Sequence, residues 1–173
     1  LTAGGAVVGL SFHQSDILRL RLNEGSALTE DPDKFIVEHP CAEPCFSVTE
    51  EASGLRLSTE TSVVRITFSP FSVKAYRQDG KLLVQTKGSA PADAEKDRSV
   101  LRLSLTESEQ IYGLGQDPMG NVNQRGHERR MWNEWGGLHV CANAALPFYF
   151  SNEGYGLLLN SGWPSRFAVG EAK

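Results

Sequence analysis

Apolar and polar residues alternate one for one in several short runs of this chain. Leu18-Arg19-Leu20-Arg21-Leu22, Leu55-Arg56-Leu57-Ser58, Val64-Arg65-Ile66-Thr67-Phe68 and Leu101-Arg102-Leu103-Ser104-Leu105 all do so. A period of two puts the apolar side chains on one face of a strand and Arg, Ser or Thr on the other. Short strands with one wet face belong to antiparallel sheets. Residues 71–76 and 82–86 flank Gln78-Asp79-Gly80-Lys81 and read as a hairpin, because Asp-Gly supplies the positive φ that its turn needs. Residues 146–150 and 155–159 flank Ser151-Asn152-Glu153-Gly154 and read as a second one. Helix signals are confined to Thr106-Glu107-Ser108-Glu109, a capping-box pattern that Gly113 stops. Roughly ten strands with at most one or two helical turns predict an all-β, antiparallel β-sandwich.

A chain of 173 residues is one domain or two small ones, and it is long enough to bury a core. At 40% hydrophobic and 22% charged residues it is neither collagen-like nor disordered. Seventeen Lys and Arg against twenty-one Asp and Glu leave a net charge of −4. That balance argues against nucleic acid and anionic membrane surfaces as partners, since both demand a basic surplus. No apolar run approaches the roughly 20 residues of a membrane span. Leu1-Thr2-Ala3-Gly4-Gly5 lacks the basic region of a signal peptide, and a removed targeting segment stays open. Three cysteines and no Asn-x-Ser/Thr sequon lean towards a reducing, cytoplasmic compartment.

Lys87 to Ser99 reads as a long hairpin loop or a disordered stretch. Gln116 to Gly137 reads as a long polar loop that carries Met119, Met131, Trp132 and Trp135. Within it Trp132, Glu134 and Trp135 suggest a sugar platform: aromatic faces pack on the C–H face of a pyranose, and carboxylates or amides bind its hydroxyls. Alternatively, both tryptophans simply pin the loop to the sandwich. Gly113-Leu114-Gly115 has neither the third glycine nor the strand–turn–helix unit of a nucleotide loop, and reads as a tight backbone turn. His39, Cys41, Cys45, His139 and Cys141 match no standard zinc spacing, so no metal and no cofactor is expected. No nucleophile elbow occurs, and no carboxylate pair stands out for glycosidase chemistry.

The motifs in order carry a resemblance. Glu109-Gln110-Ile111-Tyr112-Gly113-Leu114-Gly115-Gln116 resembles a signature of the N-terminal domain of glycoside hydrolase family 31. Asn123-Gln124-Arg125-Gly126, Met131-Trp132-Asn133 and the hairpin from Pro147-Phe148 through Ser151 to Gly154-Tyr155-Gly156 are similar to the segments that follow it there. Residues 17–22 and 71–82 agree more loosely. The resemblance implies a galactose-mutarotase-like β-supersandwich spanning residues 1–173 as one domain. It also implies that the catalytic aspartates sit on a separate (β/α)₈ barrel, so that this chain alone is not catalytic and ends before the last strands of its sandwich. That barrel needs about 250 residues, more than are here.

In such proteins a loop of this domain reaches over the barrel mouth and shapes the substrate pocket. The matching residues are Trp132, Asn133, Glu134 and Trp135. Several α-glucosidases carry an Asp in that loop and this chain does not, which leaves xylose, galactose and N-acetylated sugars open beside glucose. The implied partners are an α-glycoside and the barrel of the same protein. With the barrel absent, at least one tryptophan of the loop should be exposed, and the loop mobile or paired with a second copy. Two other functions remain open from the residues: a stand-alone carbohydrate-binding module, and an aldose mutarotase, for which the four histidines offer no evident His/acid pair.

Overall fold

The computed structural model describes residues 2–3, 6–24, 46–87, 93–95, 98–116, 120–132 and 144–170. Among them the regular structure is entirely strand. The chain divides into two compact units, one built from residues 1–32 and 37–104, the other from 105–173 together with 33–36.

In the first unit β1 (Thr2–Ala3), β2 (Ala6–Gln14) and β3 (Ile17–Glu24) form one antiparallel sheet. A second sheet holds β4 (Ser47–Glu51), β5 (Gly54–Ser58), β6 (Ser62–Phe68), β7 (Phe71–Arg77) and β8 (Leu82–Gln85) in chain order. The alternating runs at 17–22, 55–58 and 64–68 fall in β3, β5 and β6. Their period does what it predicts: Leu57, Val64 and Ile66 turn inward and meet Phe71 and Val73 of β7 and Val8 and Phe12 of β2. The Asp79-Gly80 hairpin is present, with Gly80 at φ 89°.

The fourth alternating run is not a strand of its own. Leu103 makes a single bridge to Thr86, flanked by Lys87 N–H donating to Arg102 O and Ser104 N–H to Gln85 O. Within the stretch that the sequence reads as a long hairpin loop, and one residue beyond it, β9 (Asp93–Glu95) and β10 (Arg98–Val100) pair as a small ribbon.

The second unit contains a sheet in the order β11 (Ile111–Gly113), β13 (Phe148–Ser151), β14 (Tyr155–Leu158), and a ribbon of β12 (His127–Met131) with β15 (Ser165–Val169). Their inner faces share a core of Ile111, Leu114, Met131, Tyr149 and Val169. Thr106 to Glu109 forms a turn and no helix. Its capping-box half is real, since the Glu109 carboxylate accepts from Thr106 N–H at 3.0 Å.

β12 corrects the sequence reading, which gives residues 116–137 as loop. His127-Glu128-Arg129-Arg130-Met131 has an arginine in a slot where an apolar residue would advertise a strand. Arg129 nevertheless points inward, nine-tenths or more buried, and its Nη2 donates to Gln116 O at 2.7 Å. A buried guanidinium that finds acceptors can stand where Leu or Val would.

Candidate functional site

The segments that carry the resemblance meet at one buried carboxylate. Glu109, 2% exposed, accepts from Ser151 Oγ at 2.7 Å and from Tyr155 OH at 2.7 Å through Oε1, and from Thr106 N–H through Oε2. Ser151 Oγ also accepts from Glu153 N–H, which closes the β13–β14 turn. Asn152 pairs reciprocally with Gln110: its Oδ1 accepts from Gln110 N–H at 2.9 Å and its N–H donates to Gln110 O. Burial raises the Tyr149 phenol above its ordinary value and the Tyr155 phenol well above it, reinforced at Tyr155 by its phenol neighbour and the Glu109 carboxylate.

Asn123-Gln124-Arg125-Gly126 closes the other side. Asn123 Oδ1 accepts from Ile111 N–H and Arg125 N–H. Gln124 N–H donates to Ile111 O, and its buried side chain donates to Asn121 O. Arg125 Nη1 donates to the Thr106 and Glu109 carbonyls at 2.8 and 2.7 Å. Gly126, at φ 84°, donates to Val169 O and turns the chain into β12.

The Gly113-Leu114-Gly115 turn has three consecutive positive φ values, 107°, 63° and 75°. Leu114 tolerates that conformation while wholly buried, with its N–H on Phe148 O at 2.8 Å. At Gly115 a Cβ would sit 2.0 Å from Ala144 O, so only glycine fits. The turn is thus a packing device, as its sequence suggests.

What this scaffold delivers is the end of β12. Met131, the last strand residue, is buried against Val169 and Tyr149, and Trp132 follows it half-buried. The Arg130 guanidinium lies 5.6 Å from the centre of the Trp132 ring. Asn133, Glu134 and Trp135, which the sequence groups with Trp132, lie outside the described residues, as do His39, Cys41, Cys45, His139 and Cys141. Among the described residues no group of three or more His, Cys, Asp or Glu side chains could hold a metal ion. Trp163, which the sequence reading passes over, is the most exposed large hydrophobic side chain described, at 76%.

Fold and site together define an antiparallel β domain in which a scaffold of buried hydrogen bonds leads into β12, which ends directly before Trp132. A sequence model of the glycosyl hydrolase 31 N-terminal galactose mutarotase-like domain matches residues 7–167, and the chain belongs to that family. It is 24% identical to the isomaltosyltransferase of Sporosarcina globispora, over 94% of this chain and 15% of that protein. It is also 24% identical to the α-xylosidase XylQ of Lactiplantibacillus pentosus, over 98% of this chain and 23% of that one. Its fold is shared with the family 31 dextranase of Flavobacterium johnsoniae in complex with glucose, at a TM-score of 0.85 and 22% identity over 97% of this chain and 21% of that one. An α-xylosidase of Xanthomonas citri superposes at a TM-score of 0.77. The chain therefore spans less than a quarter of the length of these relatives.

Proposed function

We propose that this chain serves as the accessory N-terminal domain of a retaining α-glycosidase, and that the segment Trp132, Asn133, Glu134 and Trp135 helps to shape the substrate pocket of a catalytic barrel in the same polypeptide. The observation that carries the reading is the convergence of the family's motifs on Glu109, Asn123 and Arg125, side chains spent on holding backbone in place. They carry β12 to its end at Met131, directly before Trp132. A family match over residues 7–167 places the same motifs in a domain of glycosyl hydrolase 31. The proposed substrate is an α-glucoside or α-xyloside, supported by the dextranase in complex with glucose and the α-xylosidase XylQ among the similar proteins.

Chemically the division of labour is reasonable. Two carboxyls about 5–5.5 Å apart do the bond cleavage in a retaining enzyme, and a neighbouring domain contributes binding and orientation. The test compares residues 1–173 with the intact protein on p-nitrophenyl α-glucoside and α-xyloside. Turnover by the intact protein and none by residues 1–173 is expected. Turnover by residues 1–173 cleared of contaminating enzymes, or accelerated mutarotation of fresh α-glucose by them, overturns the reading.

A further inference from the structure

Resting on that reading, the geometry points to an aromatic sugar-contact edge at the Met131/Ser165 end of the β12–β15 ribbon, in which Arg130 and Glu128 hold Trp132 in position and Trp163 supplies a second ring to an α-linked oligosaccharide.

The ribbon has two faces. Arg129, Met131, Phe167 and Val169 turn towards the core, while Glu128, Arg130, Arg166 and Ala168 turn out. Arg130 and Arg166 are directly opposite each other in the ladder, an arrangement that like charges disfavour. Glu128 removes the conflict: its Oε1 lies 3.4 Å from Arg130 Nε and its Oε2 3.3 Å from Arg166 Nη1. The carboxylate thus ties both guanidiniums to one strand face. Arg130, so tied, lies over the indole of Trp132. A cation over a ring face is attracted by the ring's quadrupole, which holds the half-buried indole in one orientation. As an exposed ion pair the trio is worth little to folding. Its evident consequence is the orientation of Trp132.

Trp163 reaches the same end from the other strand. Ser165 is the ladder partner of Met131, so Trp132 follows the last pair on one strand and Trp163 precedes it by two residues on the other. Two residues of extended chain span about 7 Å at most, which keeps both tryptophans near one ladder end. Ser161 Oγ accepts from Trp163 N–H at 3.2 Å, and Pro164 restricts the backbone on its far side, so an exposed indole is held on a short turn. Two rings, one just after β12 and one just before β15, beside two guanidiniums and one carboxylate, suit a polyhydroxylated ligand: C–H faces for the rings, hydroxyls for the donors and acceptors. A ligand longer than one sugar is needed to meet both rings.

The experiment measures steady-state kinetics of the intact protein on isomaltotriose, with thermal unfolding measured in parallel. Trp163→Ala and Arg130→Ala should each raise KM three- to tenfold with kcat within twofold, the pattern of lost uniform binding. Arg130→Lys, which keeps a cation over the ring, should recover most of the loss. Melting temperatures should stay within about 2 °C, as expected for exposed side chains whose ion pairs add little to folding. Unchanged KM in an active protein overturns the sugar-contact edge while the proposed function stands. A lowered melting temperature with unchanged KM overturns it as well, since Trp163 then packs on the rest of the polypeptide. An intact protein active on p-nitrophenyl α-xyloside that neither binds nor turns over isomaltotriose overturns the edge alone, and one without activity on any α-glycoside overturns both.

Discussion

Replacing Glu109 removes the group on which three segments converge, and the structure sets the size of the effect. Glu109→Ala leaves Thr106 N–H, Ser151 Oγ–H and Tyr155 OH facing a hole where a carboxylate accepted all three. A buried donor left unsatisfied costs about 1–3 kcal/mol. The hydroxyls recover part of this by rotating, Ser151 because it still accepts from Glu153 N–H and Tyr155 because it is only part-buried beside Tyr149. The backbone amide of Thr106 has less freedom. The sum comes to about 3–4 kcal/mol, in line with breaking a buried charged pair.

Glu109→Gln is milder, because its amide oxygen can face Thr106 N–H while its NH₂ donates to the two hydroxyls; about 1–2 kcal/mol is expected, the scale of one charge-assisted bond lost. Tyr155→Phe should cost about 1–2 kcal/mol, and the Glu109→Ala/Tyr155→Phe double variant less than the sum of the singles, because the two share one hydrogen bond. Urea unfolding followed by tryptophan fluorescence measures all four. In thermal unfolding Glu109→Ala should lower the midpoint by about 10 °C, given roughly 2–4 °C per kcal/mol at this chain length. A loss below about 0.5 kcal/mol for Glu109→Ala, the size of an ordinary surface change, would refute the picture of a structural hub.

Gly115→Ala should destabilise by more than about 2 kcal/mol, since positive φ and a 2.0 Å approach to Ala144 O coincide there; equal stability in urea contradicts this. Asp79 is held down to about 2 by its hydrogen bond from Arg77, which lies against it, and by Lys81 N–H. Its folded-state value is depressed, so its contribution to stability is complete above about pH 4 and lost as pH falls towards 2. A side-chain carbon NMR titration should find the midpoint near pH 2, and a midpoint near 4 contradicts the ion pair. Tyr149 and Tyr155 carry raised values, so the stability they add is present below about pH 10 and lost above it. Absorbance at 295 nm, with Tyr149→Phe and Tyr155→Phe variants to assign the signal, should show these two phenols resisting ionisation until the protein unfolds; their ionising near pH 10 in the folded protein contradicts the burial.

Period two was enough to place β3, β5 and β6, and turn chemistry at Asp79-Gly80 and Gly154 placed both hairpins. β12 escaped because Arg129 fills an inward position, and no pattern of apolar residues reports a guanidinium buried on a carbonyl. Leu101 to Leu105 alternates as cleanly as any strand yet makes one bridge, since alternation specifies a face but no partner. Glu109 was legible as a local cap of Thr106. Its bonds to Ser151 and Tyr155 span 42 and 46 residues, and only the folded chain brings those ends together. Trp132 was visible as an unusual loop aromatic. The Glu128–Arg130 clamp on it depends on a strand that the sequence hides, and Trp163 gains interest only from the pairing of Met131 with Ser165.

The proposed role of this domain requires that it present Trp132 to substrate. The direct measurement is kcat/KM of the intact protein on p-nitrophenyl α-glucoside and α-xyloside before and after Trp132→Ala, with the melting temperature of each. A loss of about 1–3 kcal/mol in transition-state stabilisation, roughly 5- to 150-fold in kcat/KM, is expected with little change in melting temperature. Unchanged kinetics together with a folding loss of about 3–5 kcal/mol, the scale of a core tryptophan, would make Trp132 a pin for its own domain and contradict the account.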